Sequence, residues 1–166
     1  ILDIGIGSGC ILLSILKERE NFYGTGVDIS KKCIDICKIN TFKLALHNRV
    51  KLFKTDIDNF ACGKYDLIIS NPPYISKFDF RSLDNEVVGF EPKLALYGGI
   101  DGISEISKIV NKASKLVKNN GKFILEIAHD QKKIVKRLLT NNGFYINKVL
   151  KDLAKNDRCI ISTKIN

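Results

Sequence analysis

The 166-residue chain has no methionine and no tryptophan, and only three prolines and two histidines. It has no uninterrupted apolar run of about 18 residues, so no membrane-spanning helix is expected. Its five cysteines (Cys10, Cys33, Cys37, Cys62 and Cys159) include no Cys-x-x-Cys pair, and with only His47 and His129 they complete no zinc set. No metal site is expected, and the thiols read as reduced and mostly buried. There is no Gly-Lys-Ser/Thr, which excludes a phosphate-clamping P-loop. Methionine is missing even at position 1, and the chain opens in mid-strand at Ile1-Leu2, as expected for a piece of a longer protein. No basic-then-apolar leader is visible, which favours a cytoplasmic location.

What is present is ordinary for one globular domain: 45% hydrophobic and 27% charged residues. That composition excludes disorder as the main state. The net charge is +9, with a pI near 9.3. A basic domain invites a nucleic-acid reading. The lysines are scattered, and Lys, Ile and Asn are used heavily together, as in an A/T-rich coding sequence. Composition is therefore the favoured reading, with a weak nucleic-acid contact left open.

Strand-like and helix-like segments alternate along the chain. Strands are expected at Ile1–Ile4, Phe22–Val27, Val50–Phe53, Tyr65–Ser70, Lys122–Ile127, Phe144–Leu150 and Arg158–Thr163. Helices are expected over Cys10–Lys17, after Ser30 with Ile34, Ile36, Ile39, Phe42 and Leu46 as its apolar positions, over about Gly102–Val117, and over Asp130–Asn142. This order predicts an α/β fold with a mostly parallel seven-stranded sheet. The last two strands are joined by a short connection and should pair antiparallel, as an edge hairpin. Residues 75–100 form the one long excursion.

Asp3-Ile4-Gly5-Ile6-Gly7-Ser8-Gly9 lies between the first strand and the first helix. Gly5, Gly7 and Gly9 allow positive φ and let a ligand approach the backbone. The helix beyond offers free N–H groups to an anionic group. The spacing is G-x-G-x-G rather than the nicotinamide fingerprint. Asp28 closes the second strand about 20 residues later, where a carboxylate can accept both hydroxyls of a ribose. Asp56 follows the third strand at the same sheet edge. It can accept an adenine's exocyclic amine, with Ile57 against the ring.

Together these features resemble class I S-adenosylmethionine-dependent methyltransferases over nearly the whole chain. The resemblance implies a Rossmann-like fold, S-adenosyl-L-methionine as cofactor, and Asp3 at the cofactor's amino-acid end. Asn71-Pro72-Pro73-Tyr74 ends the fourth strand, next to where the methyl group is then expected. An amide or aryl amine nitrogen is a poor nucleophile because its lone pair is delocalised. The Asn71 side-chain oxygen and the Pro72 carbonyl can each accept one of its N–H groups and favour positive charge developing on nitrogen. Pro72-Pro73 makes a rigid exit from the strand, and Tyr74 can lie against the planar group.

That motif serves adenine N6, guanine N2 and glutamine amide nitrogen alike. Three further stretches choose among them. Phe90-Glu91-Pro92 through Gly102, Leu125-Glu126-Ile127 with Asp130-Gln131, and Asp152-Leu153 with Asp157-Arg158 are similar to segments of the HemK-type glutamine N5-methyltransferases acting on peptide-chain release factors. The resemblance implies that the substrate is the glutamine of the release factor's Gly-Gly-Gln loop. It places Asn71 at the junction of cofactor and substrate. Asn71, Pro72, Pro73, Tyr74 and Glu91 would contact substrate, with Asn71, Pro72 and Tyr74 catalytic. It also implies a helical substrate-binding domain upstream, so residues 1–166 read as the catalytic domain alone. The alternative is an amino-methyltransferase of RNA or DNA bases. Ile6 stands where threonine is commoner in the family. Ala128-His129 replaces a glycine-containing step, and His129 is assigned no role.

Overall fold

The computed structural model describes residues 1–73 and 102–165. Seven strands form one sheet in the order β3-β2-β1-β4-β5-β7-β6. They are β1 (Leu2–Ile4), β2 (Gly24–Asp28), β3 (Val50–Lys54), β4 (Tyr65–Ser70), β5 (Val117–Glu126), β6 (Phe144–Lys151) and β7 (Asp157–Lys164). Strands β1 to β5 pair in parallel, whereas β7 runs antiparallel to both β5 and β6. The expected hairpin is therefore present, with β7 on the inside and β6 as the edge.

Among the described residues the helices are α1 (Cys10–Glu18), α2 (Lys31–Lys43), α3 (Ser104–Leu116) and α4 (Lys132–Asn141), plus a 3₁₀ turn over Ile57–Asn59. They build two buried clusters. The larger gathers Leu2, Ile4, Ile68, Phe123 and Leu125 from the sheet with Ile106, Val110, Val135 and Leu139 from α3 and α4. The smaller holds Ile6, Leu12, Leu13, Leu16, Cys37 and Leu46. Strand alternation explains the division: Leu2 and Ile4 point to the larger cluster, which turns Asp3 toward α1.

Three expectations are corrected. Helix α2 buries Cys37 and Thr41, while Ile36, Ile39 and Phe42 are exposed and buried Leu46 lies beyond its end. The apolar residues of the sequence suggest one stripe, but the inward face is set by the small Cys37 and Thr41, which let the helix approach the sheet. Of the cysteines only Cys37 is buried, while Cys10 and Cys62 are exposed. Strand β5 begins at Val117 rather than Lys122. Asn119-Asn120-Gly121, between the helix and strand expected from the sequence, is an irregularity inside β5, between the Tyr65↔Val117 and Leu67↔Lys122 pairs, with Asn120 at φ 62°.

Two clamps finish the frame. The Arg49 guanidinium donates to the carbonyls of Leu16, Arg19, Glu20 and Phe22, closing the C-terminal end of α1. Gln131 accepts from the Ala128 amide and donates to the Gly102 carbonyl, tying the end of β5 to the start of α3.

Candidate active site at the carboxyl ends of the strands

The parallel register brings the candidate residues to one level. Ile4 pairs with Val27 on one side and Ser70 on the other, and the Ser70 hydroxyl donates to the Ile4 carbonyl at 2.8 Å. Gly5, Asp28 and Asn71 therefore leave their strands side by side. Asp28 pairs with Lys54, and the Thr55 amide donates to the Asp28 carbonyl at 3.0 Å, which brings Asp56 to the same rim. This is the edge of an open parallel sheet where ligands bind.

The glycine turn is tightly wound. Gly5, Gly7 and Gly9 have φ of 75°, 57° and 86°. At Gly9 the requirement is double. Its φ lies in the left-handed region, and a Cβ there would meet Cys37 Sγ at 2.6 Å and Leu13 Cδ1 at 2.8 Å. Ile6, in place of the commoner threonine, is 5% exposed and joins the smaller cluster, so its side chain points away from the rim.

Asp28 holds the turn. Its Oδ2 accepts the Gly7 amide at 2.9 Å and its Oδ1 the Ser30 amide at 2.8 Å. Each oxygen keeps a lone pair for a further donor, as a diol would supply. Asp56 N-caps the 3₁₀ turn, its Oδ1 accepting the Asp58 amide at 2.9 Å, and the next residue, Ile57, is buried.

Asp3 is the electrostatic centre of the site. It is 2% exposed, and its carboxyl is pushed up to about 7 by burial, against the lowering effect of the Leu12 amide hydrogen bond and with a further upward push from Asp28. Burial likewise raises the Cys37 thiol, with Asp3 and Asp28 adding to the effect. Two carboxyl groups thus converge beside a turn of backbone amides. A zwitterionic, positively charged ligand with a ribose would fit that set, with its cation toward Asp3, its hydroxyls toward Asp28 and its carboxylate toward the start of α1.

At the end of β4, Asn71 is exposed, Pro72 buried and Pro73 half-buried. The rigid step out of the sheet therefore carries Asn71 at its solvent side. Tyr74 and Glu91 lie outside the described residues, as does most of the Phe90–Gly102 segment. The structure thus brings together Asp3, Gly5, Gly7, Gly9, Asp28, Asp56, Ile57, Asn71, Pro72 and Pro73.

The terminal signature has a structural role. Arg158 binds Asp152 through Nε and Nη2 and reaches the Ile127 carbonyl, pinning the β6–β7 turn to the end of β5. Sequence reasoning did not single out Gln131 as a strut, nor Asn40, whose Nδ2 donates to the Ser8 carbonyl at 2.9 Å. An asparagine inside a helix, a position it disfavours, was the available signal.

The sequence profile of the family described as "Methyltransferase domain" matches residues 1–163. The bifunctional methyltransferase of Rickettsia conorii is 36% identical over 167 residues, covering 100% of this chain and 32% of that protein. The release factor glutamine methyltransferase of Caulobacter vibrioides is 35% identical over 165 residues, covering 99% of this chain and 57% of that protein. The chain therefore spans about a third to just over half of the length of these relatives. Magnesium protoporphyrin IX methyltransferase from Synechocystis PCC 6803, solved with bound SAM, superposes with a TM-score of 0.67 at 18% identity, covering 98% of this chain and 68% of that one, a likeness of fold. With its seven-stranded sheet, glycine turn and paired acids matched by that profile almost end to end, the chain belongs to the methyltransferase domain family.

Proposed function

We propose that this chain is a catalytic domain that moves a methyl group from S-adenosyl-L-methionine to the side-chain amide nitrogen of the glutamine in the Gly-Gly-Gln loop of a peptide-chain release factor. The observation that carries the reading is the Ile4↔Ser70 register, which sets Asn71 and Pro72 beside the glycine turn. The name of the Caulobacter relative supports the choice of substrate.

Asp3, Asp28, Asp56 with Ile57, and the Gly5–Gly9 turn are the groups that would hold the cofactor. When bound, it supplies an electrophilic methyl group on a sulfonium. Asn71 accepts one N–H of the incoming amide and the Pro72 carbonyl the other, which orients the nitrogen lone pair. Transfer would make the new N–C bond at the expense of the C–S bond, and the nitrogen held by Asn71 and Pro72 would then give up a proton to water. Both acceptors favour the developing positive charge, and no strong base is needed to start the transfer. A helical domain upstream, as the family resemblance implies, would carry part of the grip on the release factor. The 166-residue chain alone should therefore methylate it less well than the full-length protein.

The test offers the full-length protein labelled S-adenosylmethionine with a release factor and with total tRNA and rRNA. Label on the release factor, lost when its Gly-Gly-Gln glutamine is changed, is the expected outcome. Label on RNA alone overturns the reading. One observation favours that second reading, in which the amino group belongs to a nucleic-acid base. Residues 129–166 hold nine Lys/Arg against three Asp/Glu, which is six of the nine net positive charges. His129, Lys132, Lys133 and Lys136 line a concavity of about 430 Å³ together with Asp130 and Asp157, and Lys132 pairs with Asp157 at 3.0 Å. RNA binding through it would weaken steeply with salt.

A further inference from the structure

The Gly5–Gly9 turn is held mostly by the end of β2. The Gly5 and Ile6 amides both donate to the Val27 carbonyl, at 2.9 and 3.1 Å, and the Gly9 amide donates to the Ile6 carbonyl at 2.9 Å. Asp28 takes the Gly7 amide. The Ser8 carbonyl is held from outside the turn, by Asn40 Nδ2 at 2.9 Å, a residue 32 positions later.

Asn40 lies on α2 three residues after Cys37, whose Sγ packs against Gly9. Residues three apart share a helix face, so α2 meets the turn twice, by contact at Gly9 and by a hydrogen bond at Ser8. The peptide unit between Ser8 and Gly9 is consequently fixed at both ends. Its oxygen is held by Asn40 and its hydrogen by the Ile6 carbonyl. One further unit, Gly9–Cys10, leads from it into α1, whose first amides have no partner within the helix. Released, the Ser8–Gly9 unit could rotate and swing the Ser8 carbonyl, a negative dipole end, toward the groups that receive an anion. Asparagine is unfavourable inside a helix, and its side chain here serves another segment rather than α2 itself.

We propose that Asn40 is a positioning residue for the cofactor: by anchoring the Ser8 carbonyl to α2 it keeps the glycine turn in its binding shape. The inference rests on the cofactor proposed above.

The experiment is calorimetric titration of the full-length protein with S-adenosylhomocysteine, for wild type, Asn40→Leu and Asn40→Asp. A thermal melt of each without ligand accompanies it. Leucine and aspartate are close in size to asparagine and remove the donor. If one variant fails to fold, the other answers. The expected result is a Kd raised about five- to tenfold, the range of one hydrogen bond, with the ligand-free melting temperature unchanged within about 2 °C. With S-adenosylmethionine as substrate, its KM should rise while kcat holds. Wild-type affinity in the variants overturns the inference. So does a loss of affinity matched by a fall in ligand-free melting temperature, since Asn40 would then be a strut for the fold. Failure of the wild type itself to bind overturns the cofactor assignment instead, and is told apart by that first titration.

Discussion

Replacing Asp3 by Asn isolates the cost of a buried carboxyl. The side chain keeps its shape. The amide oxygen can accept the Leu12 amide as the carboxyl does, and the NH₂ group would face Asp28 rather than repel it. In the wild type the carboxyl is 2% exposed and titrates at about 7 instead of 3.8. Between those two values the folded chain holds a proton that the unfolded chain has lost. Stability contributed by the protonated form therefore declines as pH rises through that window, and is lost above it. About three units at 1.36 kcal/mol each make the full loss about 4 kcal/mol, complete near pH 8. The asparagine variant escapes it. Urea unfolding of wild type and variant without cofactor, at pH 5 and pH 8, is the assay. The variant's advantage should grow by about 3 kcal/mol between the two. A gap independent of pH would refute the electrostatic account. If Asp3 faces the cofactor's ammonium group as proposed, the same variant should bind S-adenosylhomocysteine more weakly at pH 8, because that anion is gone.

Asn71→Ala should lower the methyl-transfer rate by about 10²–10³ while the S-adenosylhomocysteine Kd moves only a few-fold, as for other lost charge-stabilising contacts; unchanged turnover in a labelled-methyl assay would refute its role. Gly9→Ala should destabilise by about 2–4 kcal/mol in denaturant unfolding, because a Cβ at φ 86° sits 2.6 Å from Cys37 Sγ. Pairing it with Cys37→Ala should recover the Cys37 share of that loss and leave the Leu13 contact and the backbone strain. Leu16→Ala, at a fully buried position of the smaller cluster, should cost about 2–5 kcal/mol with the far-ultraviolet circular dichroism preserved.

Much of the architecture was legible in the chain. Apolar runs such as Tyr65–Ser70 alternate with helix-period segments, and that order leaves a parallel sheet as the economical solution. Ser30 was readable as an N-cap, and its hydroxyl accepts the Cys33 amide. The glycine turn, Asp28 and Asn71 were legible because turn chemistry and strand ends are local properties. The inward face of α2 was not. Hydrophobicity marks Ile36, Ile39 and Phe42, yet close packing against the sheet admits Cys37 and Thr41. Two-thirds of the net positive charge falls within residues 129–166, a bias that the overall composition hides.

The sequence by itself determined the order of elements, the turn that needs glycine, and the residue types gathered for the chemistry. These follow from backbone preference and side-chain period, which act over a few residues. Only the tertiary structure decided that Asp3 titrates near neutrality, that Asp28 spans Gly7 and Ser30, and that Asn40 reaches back to Ser8. Burial, strand register and the distance between segments far apart in the chain set those properties, and none of them exists until the sheet has closed.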